Sequence, residues 1–287
     1  MRGRLTIILG ATASGKTAYA IERALKAGSP VISCDSRQIY REMSIGTAVP
    51  SASQLSAVKH YFIRTVPVTR LYSAGDDEIE AIDLVRELFD KGHEELIMAG
   101  GSMFYIDAVC NGLDDLPDGV PSLREELWAS LRENGPAPLA EKLRSLDPQT
   151  ASTIDLSNSQ RLIRALEVCI STGRPFSSFK TGGRKKRDFE IEKVGLSVPR
   201  EELYRRIDGR VDRMLEDGLV EEVRSLLPYR NLSALQTVGY KEIFDYLDGT
   251  VSLDEAARLI RRNTRHYAKK QLTWWRRDPS IHWISAG

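Results

Sequence analysis

The segment Gly10-Ala11-Thr12-Ala13-Ser14-Gly15-Lys16-Thr17 satisfies the pattern GxxxxGK followed by Ser or Thr. A β-rich run, Leu5 to Leu9, precedes it, and a helical pattern opens at Lys16 and runs to about Ala27. In that setting the loop N–H groups and the helix N-terminus form a cradle for phosphate oxygens. Lys16 adds a charge for the same oxygens, and the Thr17 hydroxyl is placed to ligate Mg²⁺. The motif does not say which phosphate compound is bound. NTPases and kinases carry an acid at the end of another strand to organise metal and water. Here the strand-like run Leu96 to Ala99 ends in AGGS without a carboxylate, which weakens that reading.

A second group with chemical capacity is Asp35-Ser36-Arg37-Gln38, directly after a short strand at Val31 to Ser33. In a doubly wound sheet the C-terminal strand ends line the ligand crevice, which puts Asp35 near the bound phosphate. Its carboxylate can accept a proton, and Gln38 has the donor–acceptor pair that reads an adenine edge. The competing explanation is a turn cap, because Asp followed by Ser is common at turns. A third group is basic. Arg258, Arg261, Arg262, Arg265, Lys269, Lys270, Arg276 and Arg277 fall in a stretch with no Asp or Glu, and Lys180 to Arg187 is a second acid-free basic run. Such runs suit a nucleic-acid backbone.

The elements that must position these groups follow from periodicity. Strands alternate with helices through the first hundred residues, with a helical face over Asp76 to Lys91. That alternation predicts an α/β fold, a mostly parallel sheet flanked by helices. From Asn111 a turn-rich connector leads into short helices at Ser122 to Arg132, Leu139 to Leu146 and Gln160 to Thr172, the last capped by Asn158 or Ser159. The basic segment 181–187 reads as flexible. A strand at Ile191 to Val198 then precedes helices at Arg200 to Asp217, Val220 to Leu227, Tyr240 to Leu247 and Leu253 to Arg277. The expected organisation is a P-loop core over 1–115, a helical insertion over 116–190, and the mostly helical remainder of the core over 191–287.

Bulk properties narrow the class without naming a partner. The 287 residues hold 41 Lys+Arg against 40 Asp+Glu, a net charge of +1. Hydrophobic residues at 41% and charged residues at 28% exclude a disordered or collagen-like chain. Cys34, Cys110 and Cys169 are too few for a disulfide framework and suggest a reducing compartment. His60, His93, His266 and His282 show no metal-ligand spacing. No stretch approaches the roughly 18 apolar residues of a membrane span, and the apolar run near the start is too short for a secretory signal. No membrane association and a cytoplasmic location are expected.

Taken together, GATASGKT (10–17), SCDSRQIYREMSIGTA (33–48), AGGSMFYI (99–106), SQRLIRALEV (159–168), LYRRIDGRVDRMLEDGLVEEV (203–223), TVGYKEIFDYLDG (237–249) and TRHYAKKQLTWWRR (264–277) resemble the tRNA dimethylallyltransferase family. The stretches span nearly the whole chain in family order, and only the first is generic. The resemblance implies transfer of a dimethylallyl group from dimethylallyl diphosphate to N6 of adenosine 37 in certain tRNAs, with diphosphate released. It implies Asp35 as the general base and Ser102, where the family often has threonine, as a hydroxyl for the substrate. It implies Gly10, Ala11, Thr12, Ala13, Ser14, Gly15, Lys16 and Thr17 as the diphosphate cradle, with Thr17 on Mg²⁺ and either Arg206 or Arg210 as a further diphosphate contact. For tRNA it implies Asp35, Ser36, Arg37, Gln38, Ser102, Arg124, Gln160, Arg161, Leu162, Ile163 and Arg164, to which the basic run adds Lys269 and Lys270. The family's arrangement is a channel reached by tRNA and by the allylic substrate from opposite sides, and a monomer is expected. Two other readings stay open: a P-loop small-molecule or nucleoside kinase, and a non-catalytic, ATPase-like RNA-binding module.

Overall fold

The computed structural model describes residues 3–286. Its sheet starts with β1 (Arg4–Gly10), whose residues from Leu5 onward are all buried. Then come α1 (Lys16–Ala27), β2 (Val31–Ser33), α2 (Ala52–Ala57), β3 (His60–Tyr61), α3 (Ala74–Asp90), β4 (Glu95–Ala99) and α4 (Met103–Asn111). Four helices follow, α5 (Pro121–Asn134), α6 (Pro136–Leu146), α7 (Pro148–Thr153) and α8 (Ser159–Thr172). The chain continues through β5 (Glu190–Ser197), α9 (Arg200–Glu216), α10 (Leu219–Ser225), α11 (Tyr240–Leu247), α12 (Leu253–Trp275) and β6 (Ile281–Ser285).

The strand order is β3-β2-β4-β1-β5-β6, and every pairing is parallel. Alternation along β1 explains why both faces carry helices. Leu5, Ile7 and Leu9 pack with Ile82 and Val85 of α3, Ile106 of α4 and Trp275 of α12. Ile8 points the other way, to Ala20, Ile21 and Ala24 of α1. The expected α/β class is therefore realised, with the loops after β1, β2 and β4 brought to one end of the sheet. A further apolar cluster joins the 39–72 segment to α9–α12, with Met43, Tyr240 and Ile243 fully buried.

The chain divides into two compact units, one formed by residues up to Gly112 together with those from Lys186 onward, the other by Leu113–Lys185. The second unit is helical. Its core gathers Leu127, Leu139, Leu143, Leu162, Ile163 and Leu166. Inside it, Glu167 is fully buried, and its carboxylate accepts from Arg124 and Arg164 at 2.7 Å each and from the Val120 N–H at 2.9 Å.

Several elements carried no sequence signal. β3 has two residues, too short for a period, and α2 and α7 have six each. The 181–187 segment is not uniformly flexible either. Arg187 is nearly buried, paired with Glu78 at 2.9 Å and donating to the Ala108 and Val109 carbonyls, so it is a structural cation and not part of a basic surface. Lys185 pairs with Asp115 at 2.8 Å.

Candidate active site

A cavity of about 930 Å³ opens where the loops after β1, β2 and β4 meet, and it is lined by Thr12, Gly15, Lys16, Thr17, Asp35 and Gly101 among others. The P-loop turn places Ala13 at φ +64° and Gly15 at φ +93°; the second value is one that favours glycine. α1 begins at once, with no side-chain cap, so its first N–H groups are left for an anion. Lys16 Nζ donates to the Ala11 carbonyl at 2.7 Å. Burial and the neighbouring Arg210 lower the Lys16 ammonium to about 7, against the opposing pull of Asp35. Anionic substrate oxygens would relieve both effects. The Ser14 hydroxyl is buried with no hydrogen-bond partner.

Asp35 caps its turn with one oxygen and turns the other toward the cavity. Its Oδ1 accepts from the N–H groups of Arg37 at 2.9 Å and Gln38 at 3.3 Å, the turn-cap role. Its Oδ2 faces Gly101: a Cβ built there would lie 3.9 Å from Oδ2 and 4.0 Å from Lys16 Cε. The Asp35 carboxylate and the Lys16 side chain thus share one small space. Ser102, at the N-terminus of α4, makes no capping bond. Its hydroxyl accepts from the Ser36 N–H at 2.8 Å and donates to Ser36 Oγ at 3.0 Å, fixing the Asp35 turn. Gly100 makes this possible by close approach: a Cβ there would meet the Cys34 carbonyl oxygen at 2.0 Å. Behind the turn, Cys34 Sγ donates to Asp77 Oδ2 at 3.7 Å, and burial raises the Asp77 carboxyl to about 7.

The structure separates the two arginines that the sequence left equivalent. Arg210 Nη1 donates to Thr12 Oγ1 of the P-loop at 3.2 Å. Arg206 is paired with Glu202 at 2.7 Å, although its Nη1 stands 4.0 Å from a Cβ built on Gly15. Gln38 differs from its expected role. Its amide N–H groups go to the carbonyls of Thr47 at 3.1 Å and Ala48 at 3.0 Å, which leaves only the acceptor oxygen for an adenine.

The residues expected to meet tRNA divide in the same way. Leu162 and Ile163 are buried in the helical unit's core, so their side chains pack the interior and cannot face RNA. Arg124 and Arg164 are bound to Glu167, whose buried charge requires them. Gln160 and Arg161 are exposed at the start of α8. On α12 the run is acid-free in sequence but not in space, because Arg261 and Arg265 pair with Asp212 and Asp208 of α9, and Arg258 with Glu255. Lys269, Lys270, Arg276 and Arg277 are exposed, with no ion pair among the described residues.

Three side chains that local sequence did not single out also shape the cavity. Gln271, 1% exposed on α12, accepts from the Thr12 N–H at 2.8 Å and donates to the Gly101 carbonyl at 2.8 Å, tying the P-loop to the loop after β4. Tyr267, one turn earlier, donates to the same carbonyl at 3.1 Å. Glu222 of α10 accepts from the N–H groups of Ser44 at 2.9 Å, Ile45 at 2.7 Å and Gly46 at 3.0 Å, and from the Tyr240 hydroxyl at 2.6 Å, anchoring the loop that forms one cavity wall. Glu222→Ala should therefore lower stability by about 2 kcal/mol in urea unfolding, because several charge-assisted bonds are lost together. Tyr240→Phe, which removes one of them, should lower it by about half as much.

Known proteins bear on this geometry. The IPP transferase family model matches residues 38–278. The chain is 50% identical to a tRNA dimethylallyltransferase of Porphyromonas gingivalis over 98% of this chain and 93% of that one. It is 47% identical to one of Christiangramia forsetii over 99% and 94%. Among solved structures, a full-length tRNA isopentenylpyrophosphate transferase from Bacillus halodurans has a TM-score of 0.70 and 36% identity, covering 99% of this chain and 90% of that one. A eukaryotic dimethylallyltransferase acting on tRNA has a TM-score of 0.83 and 25% identity, covering 99% and 74%.

Proposed function

The chain belongs to the IPP transferase family, and from that premise we propose how its residues carry the reaction. It is a tRNA dimethylallyltransferase, an enzyme that transfers a dimethylallyl group to tRNA. The donor is dimethylallyl diphosphate and the acceptor is N6 of adenosine 37. The observation that carries this reading is the meeting of Asp35 and Lys16 across Gly101 in one cavity.

The diphosphate lies on the P-loop, with Lys16 and Arg210 facing its oxygens. As N6 attacks the allylic carbon, the carbon–oxygen bond to diphosphate breaks and the leaving electron pair is stabilised by those cations and by the N-terminus of α1. The N6 lone pair is delocalised into the ring, so N6 is a weak nucleophile; Asp35 Oδ2 takes its proton as the new bond forms. No water needs activation, which agrees with the absence of a carboxylate after β4. Mg²⁺ fits this site through the Thr17 hydroxyl, which lines the cavity beside Lys16. The Thr17 hydroxyl and substrate phosphate oxygens would be its ligands. When bound, the ion neutralises diphosphate charge.

No described helix is long and apolar enough to cross a membrane.

The test is incubation of tRNA with labelled dimethylallyl diphosphate and Mg²⁺, followed by mapping of the labelled nucleoside. Label at N6 of adenosine 37 is expected; label transfer from ATP instead would overturn the reading. On the RNA side, Lys269→Ala/Lys270→Ala should raise the tRNA KM and flatten the salt dependence of binding by about 0.7 to 0.9 log units per lost phosphate contact. The single-turnover rate at saturating tRNA should hold, because neither lysine reaches the cavity.

A further inference from the structure

The cavity has one tyrosine in its lining, Tyr267, with no role in the proposed reaction. Tyr267 lines the cavity together with Asp35 and Gly101, yet its side chain remains 36% exposed. Its hydroxyl is fixed to the Gly101 carbonyl at 3.1 Å, the same oxygen that Gln271 Nε2 holds at 2.8 Å. The hydroxyl end is therefore held inside while the ring stays at the mouth, and rotation away would break that bond. On α12 it sits at a boundary. Ala268 and Gln271 beside it are buried, and Lys269 and Lys270 beside it are exposed. Phe104 is 56% exposed, but it does not line the cavity and makes a useful contrast.

We propose that the Tyr267 ring is the platform on which the extruded tRNA base stacks while its amine meets Asp35. The inference rests on the tRNA reading given above. A base taken out of the anticodon-loop stack loses its neighbours, and an aromatic face is the side-chain surface that replaces them. A ring already fixed in place costs little further ordering when the base arrives. Stacking tolerates any base, so recognition of adenine is left to groups that address its edge, among them the free acceptor oxygen of Gln38.

The experiment uses the full chain and an anticodon stem–loop RNA carrying 2-aminopurine at the modified position, beside unlabelled tRNA for kinetics. Tyr267→Leu is expected to raise the tRNA KM by about tenfold or more. The KM for dimethylallyl diphosphate should stay within about twofold, because the P-loop contacts are intact. The 2-aminopurine complex should be brighter with Tyr267→Leu than with wild type, because the aromatic quencher is gone. Tyr267→Phe and Tyr267→Trp, which keep a ring, should restore both the KM and the quenching. Thermal midpoints of all variants identify any loss of fold, and the ring-bearing pair decides the question if Tyr267→Leu unfolds. Unchanged KM and unchanged fluorescence in Tyr267→Leu would overturn the proposal. So would a Tyr267→Phe variant as impaired as Tyr267→Leu, which would make the hydroxyl anchor the operative feature. Failure of the wild-type protein to modify tRNA at all would refute the functional reading itself, a separate result.

Discussion

Asp35→Asn is expected to lower the single-turnover rate by about two orders of magnitude or more, with tRNA affinity nearly unchanged. The substitution separates the two oxygens of this side chain. Asn keeps a carbonyl oxygen to accept from the Arg37 and Gln38 N–H groups, so the turn that presents residues 35–38 stays in place. What disappears is the basic Oδ2 beside Gly101 and Lys16. The measurement is single-turnover transfer at saturating tRNA and allylic diphosphate, with tRNA binding measured in parallel. A parallel collapse of binding and rate would make Asp35 a positioning group for the RNA.

Lys16→Ala should cost about 10² to 10³ in kcat/KM for the allylic diphosphate, the range for removing one group that stabilises developing charge in a preorganised site. This lysine also predicts a pH dependence. Its ammonium is lowered to about 7 in the free protein, chiefly by burial and next by Arg210. The protonated form binds the anion, and binding raises the pKa. The Lys16 contribution to affinity is thus fully present below about pH 7 and is lost as pH rises above it. The kcat/KM for dimethylallyl diphosphate should fall over that window in wild type, and this component should vanish in Lys16→Ala. Arg210→Met should move the fall to higher pH while lowering the whole curve, because it removes a repulsive neighbour and a phosphate contact together. A flat profile in wild type from pH 6 to 9 would show that Lys16 is not lowered as described.

The parts of the site that were legible in the sequence are those whose geometry is local. The P-loop, α1 and the Asp35 turn each depend on a few consecutive residues, and the lysine and carboxylate that line the cavity could be named from them. The parts that were not legible depend on pairing across long separations. Gln271 lies 259 residues from Thr12, whose N–H it accepts. Nothing in QLTWW marks that bond. Asp208 and Asp212 neutralise arginines on a helix that is acid-free past its first turn. Leu162 and Ile163 show a different limit. They lie in a stretch that resembles an RNA-contacting segment, but with Leu166 they occupy i, i+1 and i+4, which is one apolar face of a helix. Periodicity decides where such side chains point.

The sheet order has a consequence for how this protein is made. β1 emerges from the ribosome before its partners, and one of its two flanking strands, β5, is more than 180 residues behind it. During that interval the nascent chain exposes one side of its most buried strand, and the helical segment Leu113–Lys185, with an apolar core of its own, is synthesised in the gap. Arg210 and Gln271 arrive later still. A chain that stalls or is cut before α12 therefore carries the whole P-loop and Asp35 without the glutamine that joins the P-loop to the turn after β4. Such a fragment should bind phosphate weakly and transfer nothing, so activity waits on the synthesis of α12.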